Sequence, residues 1–223
     1  MIRPNEEIKK DIVDQLYWDN RVDASDIKID VSDGKTTLYG TVPTNYAREA
    51  AAADAWSVPG VSLVDNQVSL SFEARLPERE SLEDHLRRVL TWNPEIDETT
   101  VQVTADGGHA TLEGTVDALW KKFRAEDLVL SVLGVVDVTD KITVVPTRNV
   151  VDEAIARDVV QAIERNAHVS PEQVDVQVEN GTVILTGRVP SWHARNAAYD
   201  AALFTLGARD VEDKMVIGQV PPT

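Results

Sequence analysis

The sequence predicts an α+β protein made of three tandem helix-strand-strand-helix-strand units. Each unit is expected to hold a three-stranded mixed sheet with two helices on one face. Three observations carry this. Glycines recur at one spacing: Gly34, Gly40, Gly60; Gly108, Gly114, Gly134; and Gly181, Gly187, Gly207, the sets offset by 74 and then 73 residues. A period of this length marks one small module copied in tandem. Apolar residues at i, i+4, i+8 open every copy, and a period-two stretch ending in Asp-Gly, Gly-Gly or Asn-Gly follows. The units are placed at residues 6–72, 80–146 and 152–218.

The first helix of each unit is read from Ile8, Ile12 and Leu16, from Leu82, Leu86 and Leu90, and from Ile155, Val159 and Ile163. Four-residue spacing puts these side chains on one helical face. Ser81 followed by Asp84 reads as a helix start with acid in its first turn. The first strand alternates at Ile27, Ile29, Val31; Val101, Val103, Ala105; and Val174, Val176, Val178. Asp33-Gly34, Asp106-Gly107-Gly108 and Asn180-Gly181 then predict tight hairpins, because type I′ turns need positive φ.

The returning strand carries Thr36 and Leu38, Ala110 and Leu112, or Val183 and Leu185, and is expected to close at Gly40, Gly114 or Gly187. Pro43 and Pro190 suit the first turn of a second helix, with Asp117 in their place as a cap or early acid. Its inward face is Ala51 and Ala55, Ala125 and Val129, or Ala198 and Ala202. Trp56, Leu130 and Phe204 are read as a shared core position. Gly60, Gly134 and Gly207 are expected to end the helix as left-handed caps. The last strand spans 61–70, 135–144 and 208–217. Reached through a helical crossover, it should run parallel to the second strand.

Composition narrows the function classes. The net charge of −16 and pI near 4.6 argue against a nucleic-acid partner and against anionic lipid. No apolar run approaches the ~20 residues of a transmembrane segment. The absence of cysteine excludes disulfides and thiolate chemistry. The start, Met-Ile-Arg-Pro-Asn-Glu-Glu, holds no apolar signal core, so the expectation is cytoplasmic, or periplasmic if an export signal has been removed.

The unit resembles the BON domain (bacterial OsmY and nodulation). The resemblance rests on three strand segments and three later ones. The first are Leu38-Tyr39-Gly40-Thr41-Val42, Leu112-Glu113-Gly114-Thr115-Val116 and Leu185-Thr186-Gly187-Arg188-Val189. The second are Val64-Asp65-Asn66-Gln67-Val68, Val138-Thr139-Asp140-Lys141-Ile142 and Val211-Glu212-Asp213-Lys214-Met215, read as strands entered through an acidic turn. It covers residues 6 to 218 in three copies. It implies a non-enzymatic module associated with phospholipid surfaces, envelope maintenance and osmotic stress. A cytoplasmic relative that pairs this domain with a second module binds potassium.

The residues themselves give no catalytic set. His85, His109, His168 and His193 show no zinc or facial-triad spacing, so no metal site is expected. No nucleophile elbow or phosphate loop occurs, and no cofactor is expected. Asp137 and Asp140, or Glu212 and Asp213, read as solvated turns rather than an acid/base dyad. No Gly-x-x-Gly loop joins two helices, which disfavours a KH-like RNA module.

The unusual local feature is Leu119-Trp120-Lys121-Lys122-Phe123-Arg124. Trp120 and Phe123 fall opposite the Ala125/Val129 face, beside Lys121, Lys122 and Arg124. Two readings stand: a lipid- or partner-binding helix face, or packing against the first helix or a neighbouring unit. Trp192 is a similar candidate in the third unit. The function expected is a binding and scaffolding protein of stress physiology that contacts phospholipid headgroups or a protein partner. The alternative is a cytoplasmic potassium-responsive sensor whose backbone carbonyls hold a monovalent cation.

Overall fold

The computed structural model describes residues 3–71, 81–97 and 99–218. One element order is repeated three times. The first repeat holds α1 (Asn5–Trp18), β1 (Ile27–Ser32), β2 (Lys35–Val42), α2 (Asn45–Ser57) and β3 (Leu63–Leu70). The second holds α3 (Leu82–Thr91), β4 (Val101–Asp106), β5 (His109–Val116), α4 (Leu119–Leu130) and β6 (Asp137–Val144). The third holds α5 (Asp152–Glu164), β7 (Val174–Glu179), β8 (Thr182–Val189), α6 (Trp192–Leu203) and β9 (Asp210–Ile217). Each repeat forms its own three-stranded sheet, with the hairpin's second strand in the middle.

The register follows the alternation read from sequence. In the first repeat Ile29 faces Leu38 across the antiparallel pair, and Leu38 faces Asn66 across the parallel pair. In the third, Val176 faces Leu185 and Leu185 faces Asp213. The hairpins turn through two positive-φ residues: Asp33 and Gly34, Gly107 and Gly108, Asn180 and Gly181. That is the type I′ geometry whose twist matches the flanking strands.

Both helices cover one sheet face. Ile8, Ile12 and Leu16 of α1 are buried with Ala47, Ala51 and Ala55 of α2 over Leu38 and Val68. Each aliphatic side chain so buried contributes roughly 1.5–3 kcal/mol. Alanines on α2 let its backbone lie close to the sheet. The same positions are buried in the other repeats, at Leu86 and Leu90, Ala125 and Val129, Ile155 and Ile163, and Ala198 and Ala202. The start of α3 is capped as expected: the Asp84 N–H donates to Ser81 Oγ at 3.1 Å.

Several boundaries differ from the sequence reading. The middle strand does not close at its glycine but runs two residues further, to Val42, Val116 and Val189. There the glycine answers a close approach: a Cβ on Gly40 would stand 1.9 Å from the Asp26 carbonyl oxygen, and one on Gly114 1.9 Å from that of Thr100. Nor do Gly60, Gly134 and Gly207 cap the helices, which end earlier, at Ser57, Leu130 and Leu203. Gly60 lies in the loop leading to β3, where a Cβ would press on Ile8 Cδ1 at 2.9 Å.

The helix starts are also displaced. Thr44 and Ser191 are the caps, accepting from the Ala47 and Ala194 N–H groups, so Pro43 and Pro190 precede the helix. Asp117 lies two residues before α4 and ion-pairs with Lys121 at 2.7 Å. The third strands begin at Leu63, Asp137 and Asp210, two residues later than expected. Phe204 is 64% exposed rather than in the core; in register, Leu203 matches Trp56 and Leu130. Residues 72 and 80, expected ends of the first and second units, lie outside the described residues.

Candidate binding surfaces and a buried acidic cluster

Helix α4 turns Ala125 and Val129 onto the sheet, which leaves Trp120 and Phe123 on its other side. The residues there are occupied by neighbours. Phe123 is half-buried and meets Tyr199 of α6 edge to face, with ring centroids 6.2 Å apart. Lys121 pairs with Asp117 and lies 5.7 Å from the Trp120 ring centroid. Lys122 Nζ donates to the Ile142 carbonyl oxygen at 3.0 Å. Arg124 Nε reaches Glu95 Oε2 at 3.3 Å. Trp192, half-buried at the start of α6, sits edge-on to His193 at 5.5 Å.

The widely exposed aromatics are elsewhere, and the sequence reading missed them. Trp18 is 78% exposed at the end of α1, and Trp92 is 80% exposed just past α3. They occupy the same place in their repeats, 74 residues apart. Tyr17, also 75% exposed, packs edge to face on Trp18 at 5.3 Å. Trp18 lies two residues beyond the last residue of the Ile8/Ile12/Leu16 stripe, a phase of about 200°. That phase was the available signal.

The acidic segments are not turns. Asp137 opens β6, Asp140 lies within it, and Glu212 and Asp213 are inside β9. Asp213 faces inward and accepts from Arg195 Nε of α6 at 2.8 Å; Glu212 faces out and pairs with Lys214. In the first repeat, Asn66 occupies the Asp213 position and donates to the Arg48 carbonyl oxygen at 2.9 Å. A polar clasp thus joins the second helix to the third strand in both repeats.

The first repeat also buries a carboxyl group. Asp54 of α2 is 4% exposed, and its Oδ2 atom has no hydrogen-bond partner. Leu128 and Ala201 hold the matching positions in the other repeats. Asp19 and Arg21, just past α1, form a two-pronged pair in which Arg21 Nε reaches Asp19 Oδ1 at 3.0 Å and Oδ2 at 2.8 Å. Arg21 Nη2 stands 3.8 Å from Asp54 Oδ1.

Burial pushes the Asp54 carboxyl up to about 6, and the Asp19 charge adds to the rise; Gln15 and Arg21 oppose it. The Arg21 hydrogen bond holds Asp19 below its ordinary value. Asp19 and, more weakly, Tyr46 raise the Arg21 guanidinium pKa further. Sequence reasoning missed this cluster because its members come from two helices and a loop.

Among the described residues no three His, Asp or Glu side chains converge as a metal site. No helix there is long and apolar enough to cross a membrane.

These repeats define a tandem of small α+β layers, and the chain belongs to the BON domain family. The family model matches residues 4–71, 79–146 and 151–219. No curated protein matches the chain. Among solved structures it is similar to CdsD, a structural protein of the type III secretion system of Chlamydia trachomatis. Identity is 15% over 96% of this chain and 94% of that one, with a TM-score of 0.27. A structure of the CdsD C-terminal domain matches at 16% identity over 94% and 96%, with a TM-score of 0.27. The PrgH periplasmic domain matches at 13% identity over 93% and 100%, with a TM-score of 0.22.

Proposed function

We propose that this chain is a non-enzymatic binding protein that adheres to phospholipid surfaces, in envelope or osmotic-stress physiology. The single observation that carries the reading is the pair Trp18 and Trp92, exposed at matched positions in two BON repeats. Amphipathic aromatic rings favour the headgroup level of a bilayer. A net charge of −16 disfavours anionic lipid, so the surface expected is zwitterionic. Trp120, Lys121, Lys122, Phe123, Arg124 and Trp192 form a second candidate contact for lipid or a protein partner, its cations supplying local attraction. Neighbours already engage several of them, which ranks this face below the exposed tryptophans.

Vesicle flotation tests the reading. Phosphatidylcholine vesicles should carry the wild type upward, phosphatidylglycerol vesicles less so, and Trp18→Ala/Trp92→Ala should remain at the bottom. Failure to float on any lipid mixture, or flotation of the double variant at the wild-type level, overturns it.

A further inference from the structure

We infer that the third repeat carries a two-imidazole site for one divalent transition-metal ion of the copper, nickel and zinc class, formed by His168 and His193. The ring centroids stand 6.5 Å apart, with planes inclined at 39°. A metal held about 2.0–2.1 Å from one nitrogen of each ring puts the centroids about 6.4 Å apart when the two nitrogens lie trans across it, and about 5 Å apart at a tetrahedral angle. Closure therefore requires the two exposed side chains to turn towards each other, by least for a trans arrangement.

Both ligands stand on fixed backbone. The His168 N–H donates to Asn166 Oδ1 at 2.9 Å, and reciprocal bonds between Ser170 and Gln173 hold the chain that follows. His193 is the second residue of α6, whose start is set by Ser191 Oγ accepting from the Ala194 N–H at 3.2 Å. Both side chains are exposed, which leaves room for water to complete the coordination. Imidazole suits copper, nickel and zinc, whereas magnesium and calcium demand oxygen ligands. A chain carrying −16 raises the local concentration of any cation.

The matching residues elsewhere are Arg21 and Tyr46, and Glu95 and Trp120, so the histidine pair is peculiar to the third repeat. His109 faces Asp137 instead, at 2.6 Å. The inference is independent of the phospholipid reading.

The test is calorimetric titration of the tag-free full chain with nickel chloride at pH 7.5, tryptophan fluorescence being followed in parallel. One ion per chain is expected. His168→Ala, His193→Ala and the size-conserving His168→Gln should each weaken binding roughly tenfold or more. His109→Ala should leave it unchanged. Binding should fade on acidification, because a protonated imidazole has no lone pair to donate. Trp192, beside His193, should report the ion by quenching, and Trp192→Phe should keep the affinity while losing most of that signal. A wild type that binds no nickel, or binding unaltered by His168→Ala and His193→Ala, overturns the proposal.

Discussion

Gly34 and Gly60 lie against each other: a Cβ on Gly34 would stand 2.8 Å from the Gly60 carbonyl oxygen. Gly108 and Gly134 repeat the contact at 2.9 Å. The hairpin turn and the loop entering the third strand therefore touch through backbone, and the Ser62 N–H seals the junction by donating to the Gly34 carbonyl at 2.8 Å. The fixed spacing within each glycine set is the sequence trace of this contact. In the third repeat the neighbour of Gly181 is the Arg209 side chain, so the same spacing persists with a softer partner.

Steric clash and backbone strain separate at two glycines. Gly107 has φ 56°, yet a Cβ there would meet nothing within 4 Å. Gly187 has φ 129°, and a Cβ would stand 2.2 Å from the Gln173 carbonyl oxygen. Gly107→Ala should cost about 1 kcal/mol, the left-handed penalty alone. Gly187→Val should cost at least twice that in urea denaturation. Equal losses would show that the close approach in β8 relaxes freely.

Asp54 sets a pH dependence with a definite sign. Its carboxyl is raised from 3.8 to about 6 in the folded chain. Its contribution is thus fully present below pH 3.8 and is lost as pH rises through about 6. Two units correspond to about 3 kcal/mol at 1.36 kcal/mol each. Asp54→Leu, which copies Leu128, should strengthen hydrogen-exchange protection of α1 and α2 at pH 7.5 by a few kcal/mol. That advantage should shrink towards pH 4. A difference between the proteins that does not vary with pH would mean that Asp54 stays ionised throughout.

Thr36 is fully buried in β2, and its hydroxyl has no hydrogen-bond partner; Ala110 and Val183 occupy its place in the other repeats. Thr36→Val keeps the shape and removes the orphaned polar atom. It should stabilise the first repeat by about 1 kcal/mol. The reverse exchange, Val183→Thr, should destabilise the third by roughly 1–3 kcal/mol. Chemical denaturation of both variants checks the pair, and a stability loss in Thr36→Val would reveal a partner for that hydroxyl.

The Phe123–Tyr199 contact bears on whether the α4 face is available to a ligand. A double-mutant cycle with Phe123→Ala and Tyr199→Ala should return a coupling of about 0.5–1.5 kcal/mol. Zero coupling would mean that the ring is free in solution, restoring the α4 face as a leading contact surface.

Local periodicity made most of the fold legible. The Ile8/Ile12/Leu16 stripe and the Asp33-Gly34 turn each follow from a rule that acts within a few residues, and the parallel pairing of β3 from the handedness of a helical crossover. The glycines were harder to read, because Gly60 answers Ile8 across 52 residues of chain rather than the helix before it. Phe204 was misplaced by one residue, since the third copy is offset by 73 rather than 74. The candidate sites were least legible. Asp54 meets Asp19 and Arg21, and His168 meets His193, only once the helices have docked. The α4 patch was visible as composition, but its contact with Tyr199 was not.

One position on the second helix carries Asp54, Leu128 and Ala201 in turn, and the strand ladders beneath the first and third of these share the same register. Backbone pairing is thus insulated from what fills the seam between the helices. A tandem built this way can assign different duties to its copies by altering seam chemistry alone. Ionisation in the first copy would loosen that lobe while its siblings stay shut.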